Sequence, residues 1–340
     1  WSSDVCSSDL IVGMDKISLQ RDRRLQMARK YAPNRAEDPE AIYSLAPFQN
    51  AGVVAPVTEK PPAATAAAPL PTVSSPTGEK RAIDLGEGVA LELVSIPTGM
   101  FRMGADDGYP DEAPATDVAI GAPFWMGVIE VTNEQYARFD PAHDSRIENG
   151  DFLQFSVEER GYPLNEPKQP VARVAWDEAI AFCAWLSERT GERFTLPDEA
   201  QWEYACRAGT TAPLWYGARD ADFASMANLA DRCLARVDTF DPWKLPSGAI
   251  HPWRPVADSV DDGHRVSAPA GSYAANPWGL FDMHGNVAEW TSSPYRPYPW
   301  QPVADNASEA GHRVVRGGSW YDRPDRARSS FRQHYAPWQR

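Results

Sequence analysis

The clearest periodicity in the chain lies in VAWDEAIAFCAWLSERTG (174–191), where Trp176, Ile180, Cys183 and Leu186 or Ser187 recur at helical spacing and Gly191 supplies a stop. This predicts a helix with that face turned inward. LPDEAQWEYACRAG (196–209) predicts a second helix: Asp198 with Gln201 forms a capping-box pattern, Pro197 sits just before it, and Gly209 is the expected C-cap. Upstream, VALELVSIPTGMFRMG (89–104) alternates around a Pro-Thr-Gly turn and predicts a β-hairpin. FWMGVIEVTNEQYARF (124–139) opens as a strand and passes into a helix, with Thr132 or Asn133 as the N-cap before Glu134. Ile17, Leu19, Leu25, Met27 and Ala28 predict an amphipathic helix within 14–50. From 210 to 340 the pattern gives only short strands and long Gly/Pro/Asn loops, with no helical period and no internal repeat.

These patterns divide the chain. Residues 51–80, rich in Ala, Pro, Val and Thr (PPAATAAAPLPTVSSPT), cannot bury a core and read as a semi-rigid linker, so a folded domain is expected over 81–340. Residues 14–50 read as the tail of an upstream domain. Ser2-Ser3-Asp4 recurs as Ser7-Ser8-Asp9 around Cys6, in a stretch without the apolar core of a signal peptide, so residues 1–13 are read as an artefact outside the fold.

Composition narrows the function classes. With 340 residues and 43% apolar content the chain can build a substantial core, and 13 Trp fit loop-rich structure pinned by large rings. The balance of 33 basic to 47 acidic residues, a net charge of −14, argues against non-specific binding to nucleic acid or anionic membrane and is compatible with calcium. No apolar run is long enough to span a bilayer. Cysteines at 6, 183, 206 and 233 are too sparse for a disulfide framework or zinc cluster, and no CxxC, HExxH, GxSxG, Walker-type or dinucleotide motif occurs. Cys183 and Cys206 fall on apolar helix faces as small core residues, with disulfide formation the alternative; Cys233 is the one candidate reactive thiol, without a neighbour in sequence to activate it.

IPTGMFRMG, EVTNEQYARF, PVARVAWDEAIAFCAWL, LPDEAQWEYACRAG, NPWGLFDMHGNVAEW and VVRGGSWYDRPDRARSSFR follow one another in the order and spacing of the formylglycine-generating enzyme (sulfatase-modifying factor) family. The chain resembles that family over about 90–335. The resemblance implies an α+β fold of the C-type-lectin-like kind with little regular secondary structure. It also implies a chain that stops short of the family's terminal Gly-Phe-Arg strand.

From spacing alone, Asp282 and Glu289 read as turn caps; the resemblance carries a calcium site onto Asp282, Gly285, Val287 and Glu289, hard oxygen donors of the kind Ca²⁺ requires. It carries a second onto Asn228, Leu229, Asp262 and His264, with a solvated acidic loop at Asp261-Asp262 as the alternative. Members that make formylglycine resemble copper oxidases with two cysteines soon after the Gly-Gly-Ser motif, and soft thiolates suit Cu(I) where carboxylates do not. Here Asp322 stands in place of the first, no cysteine follows Cys233, and Ala288 replaces the usual Trp of the calcium loop, so copper is not expected. Ser319, Trp320, Asp322 and Arg328 are the pocket candidates, with a salt-bridge network of Asp322, Asp325, Arg326 and Arg328 as the plainer reading.

A related branch of iron-dependent sulfoxide synthases binds its metal through an added helical bundle. The six histidines here, at 143, 251, 264, 284, 312 and 334, contain no i,i+4 pair, and there is no room for the bundle before residue 80. His284 and His312 flank the key motifs and are either pocket-lining or exposed. Asn306-Ala307-Ser308 fits a glycosylation sequon too short to decide anything. The expectation is a calcium-stabilised domain that binds a peptide, protein or other ligand near Ser319 and Asp322, in an exported bacterial protein. The alternative is a formylglycine-generating oxidase, or a related metal-dependent oxidoreductase, with altered residues.

Overall fold

The computed structural model describes residues 78–145, 162–235, 256–302 and 311–340. Contacts divide the chain between Ala67 and Ala68, and all described residues belong to the second unit. The expected artefact at 1–13, the 14–50 helix, nearly all of the 51–80 linker, His251 and the Asn306 sequon lie outside the described residues.

The strands β1 (Lys80–Gly86), β2 (Val89–Ile96) and β5 (Phe124–Gly127) form one antiparallel sheet with β2 in the centre. The two faces of β2 serve different cores. Leu91 and Leu93 join Leu85, Tyr136, Phe182 and Leu186 in one cluster, while Val94 and Ile96 join Phe101, Met103, Trp202, Tyr204 and Leu280 in the larger one. The expected 89–104 hairpin is not formed. Both edges of β2 are taken by β1 and β5, so β3 (Gly99–Met103) turns away and pairs with β4 (Thr116–Ile120).

Among the described residues, local chemistry fixes one end of three of the four helices. Thr132 caps α1 (Asn133–Tyr136): Gln135 N donates to its Oγ1, and Thr132 N donates to Gln135 Oε1. α2 (Trp176–Thr190) ends at Gly191, whose φ of 73° closes the helix in the left-handed region. Its inward face is rotated from the expected one: Phe182 and Leu186 are buried, while Trp176, Ile180 and Cys183 are only half-buried. α3 (Glu199–Arg207) has the predicted Asp198 cap and Gln201 box, but Ala208, not Gly209, is the C-cap, at φ 46°. One further turn, α4 (Arg232–Ala235), interrupts the region expected to lack helix.

β6 (Glu289–Pro294), β7 (Arg313–Arg316) and β8 (Gln333–Tyr335) form the third sheet. Glu289 lies opposite Arg316, so the end of one long motif and the start of the other sit side by side on neighbouring strands. α3 packs against this sheet through charge. Arg316 Nη2 donates to Glu203 Oε2 (2.5 Å), Arg207 Nη2 to Glu203 Oε1 (2.7 Å) and Arg332 Nε to Glu199 Oε1 (2.5 Å), all out of solvent. Burial alone pushes the Glu203 carboxyl up, but Arg207, Arg316 and the Gly104 amide outweigh it and hold it below its ordinary range. The Arg332 guanidinium is stacked between Tyr295 and Tyr298, 4.7 and 4.1 Å from their ring centres.

Between β2, α2 and the 287–290 segment lies a cavity of about 500 Å³ that opens to solvent. Were it dry and closed, a void of that size would cost on the order of 12 kcal/mol at the usual ~24 cal/mol per Å³. That is comparable with the whole stability of a domain, roughly 5–15 kcal/mol, so its apolar walls are wetted or covered.

Removing one partner from a buried ion cluster leaves the rest uncompensated. Glu203→Ala is expected to lower stability by about 3–5 kcal/mol in urea unfolding. A loss below about 1 kcal/mol, the size seen for surface pairs, would contradict this account of α3.

Candidate functional site

Three segments meet in one junction. Asn228–Ala230, Gly285–Asn286 and Gly317–Asp322 are joined by main-chain hydrogen bonds: Gly285 N to Gly317 O (2.9 Å), Asn286 N to Asn228 O (2.8 Å), Trp320 N to Asn286 O (3.0 Å) and Ala230 N to Asp322 O (2.9 Å). The approach demands glycine at 285, where a Cβ would stand 2.0 Å from Asn228 O, and φ is 86°. Parts of both expected calcium sets and the Ser319 motif therefore meet in one structure.

Around the first segment, carboxylates from distant parts of the chain converge. Asp282 and Glu289 are joined by Glu130, between β5 and α1. Glu130 accepts from Val287 N (3.1 Å) and Asn286 Nδ2 (2.9 Å), Glu289 from Trp202 Nε1 (3.0 Å), and Asp282 Oδ2 from Gly271 N (2.5 Å). Asp282 Oδ1 is buried with no partner. Burial pushes Asp282 up to about 6; burial and the Asp282 charge push Glu289 to about 7; burial, then Asp282 and Glu289, raise Glu130 well above its ordinary value. A buried set of like charges with an idle oxygen fits a hard cation. Among the described residues no three His, Cys, Asp or Glu side chains form a metal cage by themselves, so such a site needs main-chain oxygens, the role Gly285 and Val287 were expected to fill.

The second segment has the same character. Asp262 accepts from Leu229 N (3.0 Å) and His264 N (2.8 Å), while its own amide donates to Asp231 Oδ2 (2.5 Å). Burial and then the neighbouring Asp231 charge push Asp262 up to about 7. Asn228 Oδ1 is buried and unpartnered. The four expected residues are thus together, with Asp231 added to them. Asp262 is anchored in buried structure, whereas Asp261 beside it is exposed, as the solvated-loop reading expected.

The pocket candidates separate. Ser319 Oγ donates to Asp322 Oδ2 (2.9 Å), Ser319 N donates to the same oxygen (3.1 Å), and Arg326 reaches Asp322 Oδ1 at 3.4 Å. Burial raises the Asp322 carboxyl above its ordinary value. Trp320 packs on the buried pair Ala230 and Leu234. Tyr321 and Tyr335 stand exposed, and the Asp322 charge acts on Tyr335. Arg328 faces inward, held by Glu112 through two 2.6 Å bonds, and Asp325 turns to Arg219. Oxygen donors line this turn, and they do not fit Cu(I).

Three carboxylates that matter here, Glu130, Asp231 and Glu112, had no signal in the local sequence. Glu130 lies 156 residues from its partner Asn286, and nothing in the spacing of EVTNEQY marks it. His284 is not an exposed loop residue: it is buried, contacts Ala327 O (2.6 Å), and accepts from Trp215 N (3.0 Å). Burial pushes it down to about 4, so it is neutral. His312 is exposed and meets His334 through their Nδ1 atoms at 2.6 Å.

The sulfatase-modifying factor enzyme 1-like domain matches residues 86–340. This chain belongs to that family. Its relatives include the inactive C-alpha-formylglycine-generating enzyme 2 of Bos taurus, 27% identical over 305 residues, which cover 76% of this chain and 87% of the relative. The formylglycine-generating enzyme of Bos taurus is 29% identical over 278 residues, covering 67% of this chain and 66% of the enzyme. PvdO from Pseudomonas aeruginosa is similar in structure, with a TM-score of 0.54 and 26% identity over 79% of this chain and 95% of PvdO. The family fold, mixed helix and sheet with few helices, agrees with the architecture above. Among the described residues no helix is long and apolar enough to cross a membrane.

The cysteines of this family member divide by environment. Cys183 and Cys206 are free thiols, and burial pushes them to about 11 and about 12. Only the thiolate reacts, so at pH 8 Cys206 is expected to resist iodoacetamide in the native protein and to be labelled after denaturation. Mass spectrometry of tryptic peptides reads this; native labelling at the unfolded rate would contradict the burial described.

Proposed function

We propose that this chain is a calcium-stabilised, sulfatase-modifying-factor-like domain of the C-type-lectin-like kind. It binds a peptide or other ligand at the turn around Ser319 and Asp322, without copper-dependent oxidation of a cysteine. The observation that carries the calcium reading is the buried convergence of the Glu130, Asp282 and Glu289 carboxyls, each raised above its ordinary value, beside the idle Asp282 Oδ1. Asp282 and Glu289, with the Gly285 and Val287 carbonyls and Glu130, would hold one ion; Asn228, Leu229, Asp262 and the His264 carbonyl would hold a second. A bound Ca²⁺ supplies fixed positive charge that relieves the repulsion and braces the junction.

The ligand-binding reading rests on the surface at the turn. Tyr321 and Tyr335 offer exposed aromatic faces beside Asp322 and Arg326, a mixture of flat apolar and charged groups suited to an extended peptide. Ser319 and Arg326 hold the Asp322 carboxylate in place. The absence of thiolate chemistry follows from the donors: Asp322 offers oxygen, and the sequence has no cysteine after Cys233. An exported protein, joined through the Ala/Pro segment to an upstream domain, is the setting in which calcium would be available.

The oxidase alternative is favoured by the similarity to the formylglycine-generating enzyme of Bos taurus. A Cys-x-Pro-x-Arg peptide incubated with the protein, copper and oxygen separates the two. No aldehyde product is expected by mass spectrometry, and conversion of the peptide cysteine would establish the alternative.

Calcium in large excess over its dissociation constant contributes about 4 kcal/mol of stability. For a domain of this size that corresponds to a melting temperature roughly 10 °C higher in calcium chloride than in EGTA. Glu130→Gln is expected to narrow the gap. Equal melting of the wild type in both buffers would sink the calcium assignment.

A further inference from the structure

Two exposed histidines, outside the calcium segments and the Ser319 turn, face each other. His312 stands just before β7 and His334 lies on β8 opposite Val314, so the two are diagonal neighbours across an antiparallel ladder. Their Nδ1 atoms are 2.6 Å apart. The ring centres are 4.8 Å apart with 25° between the planes, which puts both nitrogens between the rings. A contact this short between neutral imidazoles needs one Nδ1 to donate and the other to accept. Moving the donor's proton to its own Nε2 leaves two lone pairs aimed into the same gap.

The surroundings hold this arrangement in place. Tyr295 N donates to His312 O (2.9 Å), and the Tyr295 ring lies against His334 with 4.0 Å between ring centres. One tyrosine thus fixes the main chain of one histidine and the ring of the other. Its hydroxyl is held in turn by Asp111 Oδ2 (2.8 Å), to which it donates. Two charged side chains act on His334 besides its histidine neighbour: Asp111, which favours a cation there, and Arg332, which opposes one but is itself paired with Glu199.

We propose that His312 and His334 chelate one borderline divalent cation of the zinc class through their Nδ1 atoms, with water completing its coordination. Imidazole suits zinc, whose filled d shell imposes no geometry of its own, whereas hard ions such as Ca²⁺ and Mg²⁺ take oxygen. Two nitrogens at the usual Zn–N distance of about 2.0–2.1 Å stand roughly 3.3 Å apart in a tetrahedral shell, so the rings need part by only about 0.7 Å. Both are exposed and free to do so. Among the described residues no third His, Cys, Asp or Glu completes a cage, which leaves the remaining positions to water. The neutral pair takes up the ion by shifting one proton from Nδ1 to Nε2, with no net release. Such a chelate clasps β8 to the chain entering β7, and it rests on neither the calcium nor the peptide reading.

The test is a titration of the full chain with zinc chloride, in excess calcium so that the oxygen-rich segments are occupied, followed by NMR of the imidazole nitrogens. Zinc is expected to shift the Nδ1 resonances of His312 and His334 together and saturably, while magnesium chloride shifts neither. A second bond from the same chain is effectively intramolecular, so His312→Ala and His334→Ala are each expected to weaken zinc binding, read at the remaining histidine, at least about tenfold. Zinc that leaves either wild-type Nδ1 resonance unmoved overturns the proposal. So does an equal response to magnesium, or a folded variant that binds as tightly as the wild type. Should a variant fail to fold, the wild-type spectra decide.

Discussion

Two glutamates one turn apart on a nine-residue helix organise this domain. Glu199 and Glu203 are enclosed with Arg207, Arg316 and Arg332, and through them α3 is tied to β7, to the residue that leads into β8 and to the turn after β3. Desolvating such charges is costly, and their attraction offsets that cost only where several good hydrogen bonds share the burden. The cluster meets that condition: Arg316 also donates to Ser329 O and Phe331 O, and Glu203 also accepts from Gly104 N. Three small sheets, none large enough to form a core alone, are held in register by this arrangement together with the apolar cluster beneath it.

The position of the candidate site residues follows from that frame. Glu289 opens β6 directly opposite Arg316 on β7, so fixing Arg316 against α3 also fixes the exit of the 282–289 loop. The same strand leads into Gly317–Asp322, which returns to Asn286 and Ala230. The glutamates of α3 are matched by Arg207, Arg316 and Arg332, whereas Glu130, Asp282 and Glu289 meet one another without a basic partner. The first set is neutralised from within the chain; in the second, burial and mutual repulsion raise the carboxyls above their ordinary values.

What could be read from the sequence was local. The Thr132 and Asp198 caps, the Gly191 stop and the long helix are encoded within a few residues, and the order of the motifs carried the family. The hairpin expected at 89–104 failed because strand choice depends on which edges are free, and β2 had already filled both of its own. The inward face of α2 was misplaced because Phe182, an equally apolar choice, turns toward β2. Glu130, Asp231 and Glu112 were invisible for a related reason: a carboxylate acquires its meaning from partners far along the chain, and no periodicity records them. His284 shows the reverse error, a polar residue in a loop motif that the fold buries and keeps neutral between Ala327 O and Trp215 N.

The turn at 319–322 is fastened to its neighbours through its main chain: Trp320 N and Asp322 O make the ties, and at 320 any residue but proline can supply the donor. The turn therefore works as a socket, in which side chains can be exchanged while the strands, loops and carboxylates beneath stay where they are. Chemistry at this position is a replaceable fitting on a permanent mount.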